Sequence, residues 1–169
     1  IPTDANYTYV AQLLVDSGLI MNTASFDWVA ERKNYKNRVK AGRYIISDGM
    51  SNNELINKLR SGEQDPVNVT FNNVRTKYDL ASKVSKKIEV DSSEIVQRLT
   101  DGAYLSKYGL NVHTGMTLFI PNTYEFYWNT TVDGFFDRMA VEYKKFWSNE
   151  RKAKAKELGL SQSEVAILA

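Results

Sequence analysis

A chain of 169 residues, 43% hydrophobic and 25% charged, is long enough to bury a real core, as one large domain or two small ones. Its 22 basic and 20 acidic residues leave a formal charge of +2 mixed along the sequence, which excludes the strong basic field that a nucleic-acid partner requires. The absence of cysteine excludes disulfides, thiol catalysis and thiolate metal sites, and no apolar run approaches the ~18 residues of a membrane helix. One local exception to the charge balance is the basic tract Arg151–Lys156. It reads either as a solvated helix face or as a contact for anionic wall polymer or lipid headgroups.

In chain order, Asn6 is a plausible N-cap for a helix carrying Val10, Leu13 and Leu14, which Gly18 stops. A second helix places Phe26, Val29 and Ala30 on one face. The β-rich run Arg43-Tyr-Ile-Ile46 predicts a strand. Ser51-x-x-Glu54 is a capping box opening a helix with Leu55, Ile56 and Leu59, and the turn-rich stretch Arg60–Pro66 marks a subdomain boundary. Val67–Phe71 predicts a second strand. Helices opened by Thr76-x-x-Asp79 (Leu80, Val84, Ile88) and Asp91-x-x-Glu94 (Ile95, Val96, Leu99) come after it. This order echoes the first part at a shift of about 70 residues, with Val10-Ala11 matching Leu80-Ala81 and Ile20 matching Val90. A tandem of small α/β units would explain the echo; so would shared helical periodicity. Tyr104–His113 is rich in turn residues. After the segment Leu118–Trp128 comes a long amphipathic helix with the stripe Phe135, Phe136, Met139, Tyr143, Phe146 and Trp147, which is core-forming spacing. Gly159 ends a basic helix, and Ser161-x-x-Glu164 caps a last one. Both ends read as interrupted, the first inside a strand-and-turn and the last inside a helix.

Little conventional chemistry is available to these residues. There is no G-x-S-x-G elbow, and the single histidine, His113, sits in a turn-like stretch. No metal-ligand spacing and no glycine-rich phosphate loop is present, so metal and nucleotide cofactors are disfavoured and no cofactor is expected. The unusual segment is Pro121-Asn-Thr-Tyr-Glu-Phe-Tyr-Trp128, a single carboxylate among aromatic neighbours at a strand-to-turn junction. A carboxyl buried in such company holds its proton near neutrality and serves as an acid, while flat rings stack on sugars. The competing reading is a β-edge with Tyr124, Phe126 and Trp128 packed inward and Glu125 in water.

Three segments occurring in order are similar to the pattern of the MltG (YceG-like) family of endolytic murein transglycosylases. They are Lys40-Ala-Gly-Arg-Tyr44; Gly49-Met-Ser51 followed by Leu55, Leu59 and Gly62; and Phe119-Ile-Pro-Asn-Thr-Tyr124. Pro121-Asn-Thr-Tyr124 with the helix after it looks like the bacteroidete branch. The resemblance covers nearly the whole chain. It implies an α+β fold in which a small LysM-like, βααβ-type glycan-binding subdomain over residues 1–62 precedes the first part of an α/β catalytic domain over 67–169, the latter with a long amphipathic helix. It also implies a single-pass inner-membrane anchor before Ile1, a periplasmic location, and a catalytic remainder beyond Ala169. The partners it implies are peptidoglycan glycan strands, with wall-synthesis enzymes as neighbours, no nucleic acid, and membrane contact only through the anchor.

By the same resemblance, the activity is internal cleavage of nascent glycan strands to leave 1,6-anhydro-muramyl ends. The muramic C6 hydroxyl attacks its own C1, so one carboxyl can protonate the leaving oxygen and then accept the hydroxyl proton. The family motif E-G-x-x-x-P-D-T-Y meets Met116 where its glutamate belongs and Thr117 where its glycine belongs, and Asn122 replaces its aspartate. Glu125 is then the candidate catalytic residue, a glutamate beyond Ala169 being the other source. Asn122, Thr123, Tyr124, Tyr127 and Trp128 are the candidate substrate-binding residues. The missing acid also fits a non-catalytic peptidoglycan-binding module. The aminodeoxychorismate lyase label that family members have carried implies pyridoxal phosphate, yet no lysine here adjoins a glycine-rich phosphate loop.

Overall fold

In a computed structural model of the chain, residues 1–72 and 74–168 are described. The fold is α+β: helices dominate, and the sheet among the described residues has two strands. The chain divides into two compact units. One is Ile1–Val67 with Tyr127–Asn129; the other is Asn68–Phe126 with the chain from Thr130 on.

The first unit is built from α1 (Tyr7–Asp16), α2 (Thr23–Arg32) and α3 (Asn52–Ser61). Asn6 caps α1 by accepting from the Tyr9 amide, Asn22 caps α2 through the Ser25 amide, and Ser51 with Glu54 forms the expected capping box on α3. Their apolar stripes close on one core of Val10, Leu14, Phe26, Ala30, Tyr35, Leu55, Ile56 and Leu59. Within it Tyr7 stacks on Phe26 and meets Tyr35 edge-on, and its hydroxyl donates to Asp27.

The strand expected at Arg43–Ile46 does not form. Its backbone groups are met mainly by side chains instead of a neighbouring strand: the Ile45 amide donates to the Asp65 carboxylate at 2.6 Å and the Ile45 carbonyl accepts from Lys58 Nζ at 2.6 Å, while the Arg43 carbonyl accepts from the Asp65 amide at 2.9 Å. What remains of sheet pairing is one reciprocal pair, Ile1 with Gly42, at 2.9 and 2.8 Å. Gly42 has a φ of 141°, and a Cβ there would meet the Gln64 side chain at 2.2 Å, so both the backbone and the space require glycine. The Lys40 amine caps the end of α3 by donating to the Ser61 carbonyl at 2.9 Å, its stem lying over Gly62, whose left-handed conformation ends the helix.

The second unit begins with β1 (Val67–Thr70), then α4 (Lys77–Ser85) and α5 (Ser92–Thr100). Thr76 and Asp79 form a capping box on α4, and Asp91 caps α5 through the Ser93 amide. The turn-like reading of Tyr104–His113 misses a short helix, α6 (Gly102–Ser106). Asp101 ends α5 and at once caps α6 through the Tyr104 amide at 3.0 Å, which lets a helix start without a linker. A 3-10 turn, Gly115–Leu118, leads to β2 (Thr123–Phe126). β2 is antiparallel to β1: Thr70 faces Thr123, and the Phe71 amide donates to the Asn122 carbonyl at 2.9 Å. A lone two-stranded sheet is marginal in water. This one is backed by α7 (Val132–Phe146), whose Phe135 is fully buried and contacts Phe71, Phe119 and Phe126. The basic tract lies on α8 (Asn149–Glu157), where only Ala155 is buried, and Ser161 and Glu164 cap α9 (Gln162–Leu168).

Truncating Phe135 to alanine removes the ring that supports both strands and is expected to cost about 3–5 kcal/mol in chemical denaturation. A second expectation concerns pH. The Ile45 amide, with Lys58 and Arg43 beside it, holds the Asp65 carboxyl below the usual carboxylate range. A depressed folded-state pKa contributes stability that is present above the ordinary aspartate value and is lost as pH falls through the depressed one. Acid titration of stability should therefore show a component between those two values that vanishes in Asp65→Asn.

Candidate functional site

The segment from Leu118 to Trp128 is shaped by the alternation of β2. Tyr124 and Phe126 point into the core of the second unit, while Thr123 and Glu125 stand on the exposed side. Burial of Glu125 among aromatic rings, expected as the source of an acid, is therefore not found; of the two arrangements open for β2 itself, the inward Tyr124 and Phe126 with an outward Glu125 is the one present. Trp128 is half-buried and, with the exposed Tyr127, belongs to the first unit. The six candidate residues are thus divided between the two units.

Of the four on the second unit, Asn122 and Thr123 are tied locally. The Asn122 side-chain carbonyl accepts from the Thr123 amide at 2.8 Å, and the Thr123 hydroxyl bonds that of Thr70 across the strands at 2.8 Å. Glu125 makes no hydrogen bond or ion pair among the described residues, which leaves its carboxylate open to a ligand, with the Asn122 side-chain NH2 group and the exposed Thr123 side chain beside it on the same face. The Tyr124 hydroxyl faces inward and donates to the Ile120 carbonyl at 2.8 Å, and its ring rests on Phe71 at 5.6 Å. Burial first, then the negative charge of Glu142 on α7, holds its proton tightly, with Arg138 opposing. Arg138 and Glu142 form an ion pair at 3.1 Å. Their i, i+4 spacing was visible in the sequence, but only the fold places that pair near Tyr124. Met116 and Thr117, the positions aligned with the family's glutamate and glycine, lie in the 3-10 turn, where Thr117 is buried and donates to the Thr114 carbonyl at 2.7 Å. Neither can supply a proton to a sugar oxygen.

Trp128 on the first unit lines a cavity of about 280 Å³ with Leu13 and Leu14 of α1, Arg43, Tyr44 and Leu59. Tyr44 repeats what Tyr124 does. Its hydroxyl donates to the carbonyl four residues earlier, Lys40, at 3.1 Å. In both units, then, a Tyr hydroxyl donates to the carbonyl four residues earlier and ties the turn that precedes it.

These two hydroxyls are satisfied, whereas that of Tyr35, buried in the first core, has no partner among the described residues. Tyr44→Phe and Tyr124→Phe should each lose about 1 kcal/mol of stability, the net worth of one intramolecular hydrogen bond, with the smaller loss at the exposed Lys40 carbonyl. Tyr35→Phe should be neutral or stabilising, since the hydroxyl it removes is desolvated without compensation. Urea midpoints of the three variants check the difference in sign.

Over residues 1–169 the sequence matches the YceG-like family. No curated protein matches it. The fold is similar to a crystal structure of a yceG-like protein from Listeria monocytogenes, with a TM-score of 0.51 and 15% identity, covering 96% of this chain and 58% of that one. At that identity the likeness is one of fold, and the chain spans a little over half the length of this relative. The whole-chain family match and the shared fold together place this protein in the YceG-like family.

Proposed function

We propose that this chain is the glycan-facing part of an endolytic peptidoglycan lytic transglycosylase, of the MltG type within the YceG-like family. The observation that carries the reading is the family match across residues 1–169. The exposed row on β2, with its unpaired carboxylate, supports it. In this reading the first unit is a LysM-like glycan-binding module and the second is the start of the catalytic domain. The parent protein is anchored in the inner membrane and works in the periplasm on nascent strands, beside the wall-synthesis enzymes. Asn122 and Thr123 meet the sugar amides and hydroxyls, Tyr124 holds the turn beneath them, and Tyr127 and Trp128 offer stacking faces.

Glu125 is the carboxyl we assign to the acid/base role. It would protonate the glycosidic oxygen as the C1–O bond breaks and take the proton of the muramic C6 hydroxyl as that oxygen bonds to C1, so that no water is consumed. A specific observation favours a second reading, in which these residues bind glycan without cutting it: Glu125 stands on the exposed face of β2, and Met116 occupies the acid's position.

Digestion of intact sacculi by the parent protein, with mass analysis of the fragments, separates the two. The transglycosylase reading expects 1,6-anhydro-muramyl ends from the unaltered protein and at least roughly a hundredfold fewer from Glu125→Gln. Anhydro ends at an undiminished rate in Glu125→Gln would remove Glu125 from the role. Their absence from the unaltered protein would leave the binding module.

A further inference from the structure

The second unit carries an open cavity of about 620 Å³ away from β2, walled by Tyr108, Tyr143, Lys152, Lys156, Ser161 and Ser163 among others. Its size is in the range of ligand sites, roughly 300–1,000 Å³. Lys152 and Lys156 are four residues apart on α8, so both ammonium groups leave the same helix face, with the buried Ala155 between them. Like charges at this spacing repel, and neither lysine has an acidic partner among the described residues. The neighbouring Lys154, off this wall, is by contrast paired with Glu150 at 2.9 Å. Glu164 accepts from the Ser161 amide in the α9 cap, and Asp137 accepts from the Tyr108 hydroxyl at 2.9 Å.

The walls are held firmly. The turn between α8 and α9 is closed by the Leu160 amide donating to the Ala155 carbonyl and the Gly159 amide to the Lys156 carbonyl, both at 3.0 Å. Tyr108 is wedged against Tyr104 and Phe136. The cavity therefore combines two cations without an ion-pair partner among the described residues, the rings of Tyr108 and the largely buried Tyr143, and two serine hydroxyls, of which that of Ser161 already accepts from the Glu164 amide and keeps its proton to donate. That set matches a sugar bearing carboxylates, with rings for the pyranose, hydroxyls for acetamido and hydroxyl groups, and ammoniums for the anions.

We propose that this cavity binds the carboxylate-bearing part of a muropeptide, the lactyl-peptide arm of the glycan, with Lys152 and Lys156 as its counter-ions. The proposal rests on the glycan-facing reading above. It adds a site that recognises the peptide arm apart from the row on β2.

Calorimetric titration of the chain with a disaccharide-tetrapeptide muropeptide, with the same muropeptide after amidation of its carboxyls, and with uncharged chitotetraose tests it. The doubly substituted Lys152→Ala/Lys156→Ala should bind the muropeptide roughly tenfold more weakly, as expected for the loss of two exposed ion pairs. Lys154→Ala should bind like the parent, and amidation should weaken binding to the parent by the same factor while leaving the double variant unaffected. Unchanged muropeptide affinity in the double variant, or an equal loss in Lys154→Ala, would overturn the proposal. Chitotetraose binding retained in that event leaves the glycan-facing reading standing, whereas no binding of any probe removes both. A thermal melt of the double variant equal to or above the parent's confirms that the fold is intact, since only exposed, mutually repelling groups are removed.

Discussion

The second unit depends on Phe71. It is 1% exposed, its amide closes the register of β1 against β2, and its ring touches Phe119, Tyr124 and Phe135. Backbone pairing and aromatic packing thus meet at one residue. The strands are too few to stand alone, and α7 covers them with Phe135 while its Phe136 packs on Tyr104 and Tyr108. Because β2 alternates, fixing Phe71 opposite Asn122 also decides which side chains face out. A slip of one residue would bury Glu125 and expose Tyr124. The chemistry available on β2 is therefore a consequence of packing on its other face.

The first unit solves the same problem with fewer strand bonds. Ile1 pairs with Gly42 as Phe71 pairs with Asn122, two helices come after each, and a tyrosine ties the turn to the carbonyl four residues back. Their helices start 70 residues apart (Tyr7 and Lys77) and 69 apart (Thr23 and Ser92). The helices thus keep the shift of about 70 residues, whereas the tyrosine-tied turns, Tyr44 and Tyr124, stand 80 apart, so the turns recur in geometry and not at the same shift. The recurrence also gives the motifs a physical reason. Lys40-Ala-Gly-Arg-Tyr44 and Ile120-Pro-Asn-Thr-Tyr124 are two versions of one tyrosine-tied turn, and the end of α3 enters the first because Lys40 reaches across Gly62 to the Ser61 carbonyl.

Capped helices were the readily legible part of the sequence, because a cap is local: Ser51 with Glu54, Thr76 with Asp79 and Ser161 with Glu164 each needed only four residues to be recognised. The strand at Arg43–Ile46 failed for the opposite reason. Its β-forming residues were real, but Asp65 and Lys58, distant in sequence, took the hydrogen bonds a neighbouring strand would have used. α6 was missed because Asp101 serves two helices at once, which composition does not display. At the candidate site, the alternation of Tyr124, Glu125 and Phe126 was legible. What the aromatic composition suggested, a carboxyl enclosed by rings, was undone by the same alternation, since neighbouring residues in a strand face opposite ways. The division of Tyr127 and Trp128 from Glu125 between two units has no local signal.

For function, the outcome is a surface whose framework and ligand-facing groups can be told apart. Tyr124, Phe126 and Phe71 are framework; Asn122, Thr123 and Glu125 are available. The central claim is that this exposed row meets glycan. Backbone amide shifts of the isotopically labelled chain, monitored during titration with a short peptide-free glycan strand, test it directly. The account predicts that Asn122, Thr123 and Glu125 move together in proportion to occupancy. Glycan binding with those three unmoved, and the shifts gathered elsewhere, would contradict it.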